Sequence, residues 1–267
     1  MPTIDSQGLD GGSPAGEKAA MRILILGGTG EAAELARALE GRPRLDAILS
    51  LAGRTAAPKP QGLPTRVGGF GGAEGLAAHL RAEGIDRLID ATHPFAARIS
   101  ANAATAAEAA RVPLLAIRRP AWIREPGDAW TEVGSVAEAA DALGAAPRRV
   151  FVTVGRNEVA AFAAAPQHSY IVRTIEPVDG ALPVPRLVEI LARGPYDAAA
   201  EADLMVRHAV EVLVSKNAGG AATSGKIAAA RRLGLPVVMV RRPEKPAVEA
   251  VADAEGALRW LGLTASG

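Results

Sequence analysis

An α/β chain with two parallel-sheet layers and a cleft between them is the fold class this sequence predicts, and three observations predict it. Short apolar runs alternate with alanine-rich amphipathic stretches at the spacing of parallel strand–helix units. The apolar run 22–26 breaks at Gly27, Gly28 and Gly30 straight into a helical pattern. A stretch over 119–147, carrying Pro120, Trp122, Pro126, Gly127 and Trp130, then interrupts the alternation before it resumes at Arg149. The expected layout is a disordered leader at 1–20, a first Rossmann-like domain at 21–130 and a second at 131–267.

Residues 22–27 read as the first strand and 29–40 as its helix. The second strand begins at Asp46 and ends at Gly53, and a Pro- and Gly-rich loop over 58–72 leads to a helix at 73–83. A third strand, 87–91, runs into Thr92-His93-Pro94-Phe95; a helix to Ala110 and a fourth strand at 114–118 follow. The irregular stretch, expected to be a hinge, carries a helix at 136–143. The second half opens with a strand at 149–154, the turn 155–158 and a helix, then a strand at 169–175. Beyond the prolines of 177–185 come an apolar run at 187–192, a helix at 198–208 and a strand at 212–216. The Gly-rich turn 217–225, a helix to Leu233, a strand at 237–241 and a helix at 253–261 complete the order.

The composition narrows the function classes. A formal net charge of +1 over 267 residues gives no global attraction to nucleic acid or to an anionic membrane. Cysteine is absent, which excludes a disulfide framework, a thiol nucleophile and a Cys-ligated metal, and fits a reducing cytoplasm. The first twenty residues lack the apolar core of a signal peptide, and no apolar stretch reaches the roughly 18 residues that a membrane span needs. No His, Asp and Glu cluster has metal-ligand spacing, so no metal is expected.

Ligand sites in open parallel sheets form beyond the C-terminal ends of the strands, and four turns of this chain fall there. In the first, Gly28-x-Gly30-x-x-Ala33 reads as a dinucleotide fingerprint: a tight turn, close backbone approach to a pyrophosphate, and close helix-to-strand packing. Gly28, Thr29, Gly30 and Glu31 are the expected cofactor contacts, with phosphate on the helix N-terminus. At the end of the second strand an NAD-binding fold places a ribose-binding carboxylate, but Asp46 lies at the wrong end. Ser50, Gly53 and Arg54 occupy the right one, and an arginine there suits a 2′-phosphate, so NADPH is preferred; the alternative for Arg54 is a solvated loop.

In the second turn, His93 and Thr92 fall where a nicotinamide would lie. His93 is a candidate to donate a proton or bind a carboxylate; equally, His93 and Asp90 could cap the next helix or hold the loop, and Pro94 at the first helical position would suit a cap at Thr92 or His93. The turn 215–226 gathers Lys216, Asn217, Gly219, Thr223 and Lys226, a trap for carboxylates without the residue order of a Walker A loop; the alternative is a solvated, purely structural loop. Arg98, Arg118, Arg119, Arg124, Arg156 and Arg173 cluster near turns and the hinge and are weighed as a group for a polyanion. Trp122 and Trp130 are read as packing residues.

With these residues in view, the chain resembles the precorrin-6A reductases, an NADPH-dependent family of cobalamin biosynthesis. The resemblance runs from Met21 to Leu261 and rests on the stretches 25–32, 90–96 and 154–156, and on Ser215-Lys216-Asn217-Ala218-Gly219 with Thr223 and Lys226. It implies two Rossmann-like domains and an oxidoreductase that reduces one double bond of the precorrin-6A macrocycle, giving precorrin-6B. It implies hydride from NADPH, with His93 and Lys216 as catalytic candidates: His93 for the proton, beside a bound water or the ring's own acidic groups, and Lys216 to bind a carboxylate or stabilise charge in the ring. Arg98, Arg118, Arg156, Asn217, Gly219, Thr223 and Lys226 would bind the many carboxylates of the ring. The expected partner is this small molecule, with the protein a monomer or homodimer in the cytoplasm.

Two rivals stand beside this reading. An atypical short-chain reductase would need a Tyr-x-x-x-Lys pair, yet Tyr170 is followed by Thr174 and Tyr196 by Ala200. A regulator that senses NADP without turnover would leave the cationic turn at Lys216 without a purpose.

Overall fold

The computed structural model describes residues 20–53 and 62–264, so Arg54 and most of the expected leader lie outside the described residues. β1 (Met21–Leu26) has Ile23, Leu24, Ile25 and Leu26 all buried, because helices cover both faces of its sheet. α1 (Gly30–Leu39), β2 (Leu45–Leu51), β3 (Thr65–Val67), α2 (Ala73–Ala82), β4 (Arg87–Asp90), α3 (Ala97–Ala110) and β5 (Leu114–Ile117) follow. Next come β6 (Ala129–Val133), α4 (Val136–Asp141), β7 (Arg149–Thr153), a 3-10 helix (Arg156–Ala164), β8 (Ser169–Thr174) and β9 (Leu187–Leu191). α5 (Ala198–Arg207), β10 (Val212–Lys216), α6 (Gly225–Leu233), β11 (Pro236–Val240), β12 (Ala250–Val251) and α7 (Ala254–Trp260) end the order.

Two six-stranded parallel sheets result, ordered β3-β2-β1-β4-β5-β12 and β9-β8-β7-β10-β11-β6. Each has the doubly wound pattern, which reverses direction beside β1 in the one and β7 in the other. The sixth strands are exchanged. β6 follows β5 in the chain but pairs with β11, Trp130 opposite Val237; β12 follows β11 but pairs with β5, Val251 opposite Ile117. The expected division at residue 130 falls inside β6, which pairs along its whole length with the second sheet, and it is corrected at the C-terminal end, since the last strand and helix belong to the first sheet. Packing explains why: Trp130 is buried with Phe151, Leu213 and Ile227, whereas Ala257 and Leu258 of α7 complete the core around Ile23, Leu35 and Leu49.

Local chemistry sets the boundaries. Thr29, Ser135, Asp197 and Asp253 each accept a backbone N–H at a helix start. The expected helix after Gly155 winds as a 3-10 helix, and its buried Val159 and Phe162 stand at the three-residue repeat of that form. β3, β6 and β12 lie in stretches read as loops, each an edge strand of five residues or fewer.

Candidate active site

The glycine turn sits at the C-terminal end of β1, where the strand order reverses between β1 and β4. A Cβ on Gly27 would stand 2.6 Å from Leu49 Cδ1, so this position is glycine for close packing. Gly28 has φ +111°, in the left-handed region that favours glycine. A Cβ on Gly30 would meet nothing within 4 Å, which leaves the start of α1 open. Thr29 Oγ1 donates to the Ala91 carbonyl at 2.8 Å and accepts from the Ala32 amide at 3.1 Å, tying the turn to the end of β4. One expectation changes: Ala32, fully buried, fills the close-packing role given to Ala33, because the buried stripe of α1 is Ala32, Leu35, Ala36 and Leu39.

Opposite this turn stands a charged wall. Asp90 is buried; its Oδ2 accepts from Arg118 Nη2 at 2.7 Å and its Oδ1 from Thr92 Oγ1 at 2.5 Å. Burial pushes the Asp90 carboxyl up, but the Arg118 charge and the hydrogen bonds from Ser100, Thr92 and Arg118 outweigh it and hold the group below its ordinary value. Arg119 Nη1 reaches both carboxylate oxygens of Glu31, at 2.8 and 3.0 Å, while its Nε donates to the Ala218 carbonyl of the second sheet at 2.7 Å. A pocket opens among Thr29, Glu31, Thr92, Pro94, Ile117, Arg118, Arg119, Arg242, Pro243 and Lys245.

His93 lies beside this pocket and holds the loop, the second of the two roles weighed for it. Its Nδ1 accepts from the Phe95 amide at 3.2 Å, its carbonyl from Ala96 N at 2.8 Å, and it thereby shapes the turn. Burial, then the charges of Arg119, Lys216, Lys245 and Arg242, pull its pKa down to about 3. The ring is neutral at physiological pH with its hydrogen on Nε2, which removes the imidazolium that a proton donor needs. The capping reading changes too: α3 begins at Ala97 with Ala96 as its cap, so neither Thr92 nor His93 caps it and Pro94 precedes it.

The second sheet contributes the turn after β10. Lys216 pairs with Glu158 and lies 4.7 Å from the centre of the Phe95 ring, which projects from the first sheet. Asn217 accepts from the Trp122 amide at 2.8 Å and donates to the Trp122 carbonyl at 3.0 Å. Gly219 has φ +66°, and a Cβ there would lie 2.0 Å from the Pro120 carbonyl oxygen. Arg242 donates to the carbonyls of Asn217, Arg119, Pro120 and Ala218 within 3.0 Å. Asn217 and Gly219, expected to hold carboxylates, instead fasten the crossing segment between β5 and β6.

Lys226 is buried, 5.0 Å from the centre of the Trp122 ring, and donates to the Thr223 carbonyl at 2.9 Å. Arg156, at the end of β7, pairs with Glu176 and Asp179, and Arg98 is exposed on α3. Arg173 is not a surface cation, since it is buried in an ion pair with Glu201. Of Arg98, Arg118 and Arg156, expected to bind substrate, Arg118 alone lines the pocket, and of the wider arginine group Arg119 joins it.

At the end of β2, Ser50 Oγ accepts from Arg66 Nη1 at 2.9 Å; Arg66 also donates to the carbonyls of Gly68 and Gly69 and lies 3.9 Å from the centre of the Phe70 ring. Gly53 follows with φ +71°. Arg66, Arg242 and Lys245 escaped the sequence reading. The last two follow the C-terminal end of β11, and the rule that selected the other turns would have selected them; Arg66 was hidden because β3 has only three residues.

An open helix N-terminus behind a glycine turn, at the reversal point of a doubly wound sheet and beside a cationic pocket, defines a dinucleotide-binding α/β protein. The chain belongs to the precorrin-6x reductase CbiJ/CobK family, whose model matches residues 22–262. It is 55% identical over 244 residues to a precorrin-6A reductase of Sinorhizobium sp., covering 90% of this chain and 94% of that one. A precorrin-6A reductase of Rhodococcus erythropolis is 49% identical, over 90% and 97% of the two chains. A solved CobK precorrin-6A reductase shares 46% identity and superposes with a TM-score of 0.86 over 92% of this chain and 99% of its own.

Proposed function

We propose that this protein is a precorrin-6A reductase that uses NADPH to reduce one double bond of the macrocycle, giving precorrin-6B. The single observation that carries the reading is the 55% identity to a precorrin-6A reductase over nearly the whole of both chains. The pocket fits a nicotinamide dinucleotide: Gly30 leaves the N-terminus of α1 open, and Arg118 Nη1 is buried at the pocket wall without a hydrogen-bond partner. NADPH is preferred to NADH because the end of β2 presents Ser50 with Arg66 beside it, while Asp46 sits at the opposite end, paired with Arg22 at 2.9 Å.

Gly28, Thr29 and Gly30 shape the pyrophosphate site, Thr92 borders the nicotinamide, and Ser50, Gly53 and Arg66 border the adenosine ribose. The reduced nicotinamide supplies hydride. Arg118 binds substrate carboxylate at the pocket, and Lys216, held by Glu158, offsets negative charge in the ring. His93 keeps the turn in shape. The reading places the enzyme in the cytoplasm as a monomer or homodimer; among the described residues no helix is long and apolar enough to cross a membrane.

The test is to mix protein, NADPH and precorrin-6A without air and to follow the visible spectrum and product mass. A gain of two hydrogens that depends on NADPH supports the reading. NADPH binding without reduction refutes it in favour of a regulator, and equal rates with NADH refute the cofactor choice.

A further inference from the structure

Reduction of a ring double bond needs a proton as well as a hydride, and His93 is neutral where that proton is needed. Tyr170 and Tyr196 give their hydroxyl hydrogens to the carbonyls of Ala165, just past the 3-10 helix, and Ala192, just past β9, each at 2.8 Å. Lys216 is engaged with Glu158 beyond the Phe95 ring. Among the described residues, one further ammonium reaches the pocket. Lys245, on the segment that returns from β11 to β12, places Nζ 2.9 Å from the His93 carbonyl and 3.5 Å from Thr92 Oγ1. It lines the pocket with Thr29 and Thr92, on the β4 and β5 side of the reversal point, the half of such a fold opposite the adenosine end of β2. Two of its N–H bonds have protein acceptors among the described residues, and the third is left for a ligand.

From this geometry we propose that Lys245 delivers the proton in the reduction. The inference rests on the reductase reading above. As hydride bonds to one carbon of the double bond, the π pair localises on its neighbour and takes a proton from Nζ. The N–H pair stays on nitrogen, leaving a neutral amine and an oxidised nicotinamide, and water reprotonates the amine before the next turnover. The surroundings favour such a transfer, because burial, with Arg118, Arg242 and Arg119, lowers the ammonium pKa against the pull of Asp90, to about 8. A donor near the working pH combines full protonation with ready transfer.

The experiment compares wild type, Lys245→Met and Lys245→Arg. In ligand-free full-length protein with ¹³Cε-labelled lysine, the resonance missing from Lys245→Arg should titrate near pH 8; the chain has only five lysines. A titration at the ordinary lysine value overturns the proposal. In single-turnover reduction, wild type should lose rate as pH rises through the same value. Lys245→Met should be slower by about 100-fold or more and lack that limb, with NADPH affinity changed far less. Lys245→Arg keeps the charge but releases no proton, so it should bind NADPH and stay slow. Full rescue by arginine, or an unchanged methionine variant, overturns the proposal while leaving the reductase reading intact. Should the methionine variant fail to fold, the arginine variant and the titration decide. A wild type that does not reduce precorrin-6A overturns both readings.

Discussion

Replacing Gly219 with alanine tests how the two sheets are fastened together. The residue has φ +66°, and a Cβ would lie 2.0 Å from the Pro120 carbonyl oxygen and 2.4 Å from Arg242 Nη2. Holding alanine in the left-handed region costs about 1–2 kcal/mol. Relieving the contact moves Pro120 away from Arg242, breaking a 3.0 Å charge-assisted hydrogen bond that contributes about 1.5–3 kcal/mol. The expected loss is therefore about 2.5–5 kcal/mol, the sum of these two effects. Gly144→Ala is the control: φ is +77° there and nothing lies within 4 Å of a Cβ, so the backbone contribution acts alone. Urea unfolding followed by tryptophan fluorescence reads both variants. Equal destabilisation of the two would refute the idea that contact with Pro120, rather than backbone conformation, makes glycine necessary at 219.

Asp90 is held below its ordinary carboxyl value of 3.8, so its contribution to stability is complete above about pH 4 and lost as pH falls through the lower folded value. Asp90→Asn should lower stability at pH 7 by about 3 kcal/mol, since it strands Arg118, and flatten the acid limb of Tm against pH. Burial, then Arg173 and Arg119, hold Lys226 down to about 7 against the pull of Glu201. The unfolded chain therefore binds the extra proton between about pH 7 and its ordinary 10.5, and wild-type stability should rise across that window. Lys226→Met should remove the rise and add about 1–4 kcal/mol at pH 7, read by thermal melts. Arg66→Ala should weaken NADPH about 10-fold or more and leave NADH unchanged, by fluorescence titration; equal losses for both cofactors would remove Arg66 from selectivity.

Central strands such as β1 and β10 were legible because burial on both faces writes a continuous apolar run, and helices such as α1 and α5 because Thr29 and Asp197 mark their starts. The edge strands β3, β6 and β12 were not. Hydrophobic period reports which face a residue buries, never which sheet edge a segment joins, so the exchange of β6 and β12 left no local trace. The glycine turn was legible because Gly27, Gly28 and Gly30 answer to backbone geometry. Side chains in the turn 215–226 were harder to read, because a cation or amide that binds a carboxylate and one that fastens a neighbouring segment look alike until their partners are known. Asn217 and Gly219 hold Trp122 and Pro120, which are about a hundred positions away in the chain.

The exchanged edge strands change what counts as a folding unit. Ribosomal synthesis delivers β1 to β5 early, yet their sheet keeps an open edge along β5, and the core beneath α1 lacks Ala257 and Leu258 until the last turns of chain emerge. A single cut cannot yield two intact halves: severed near residue 125, the first fragment lacks its sixth strand and the second carries a strand and a helix that fit the other piece. Fragments mixed from such a cut should therefore find each other and rebuild the fold, each serving as the other's template.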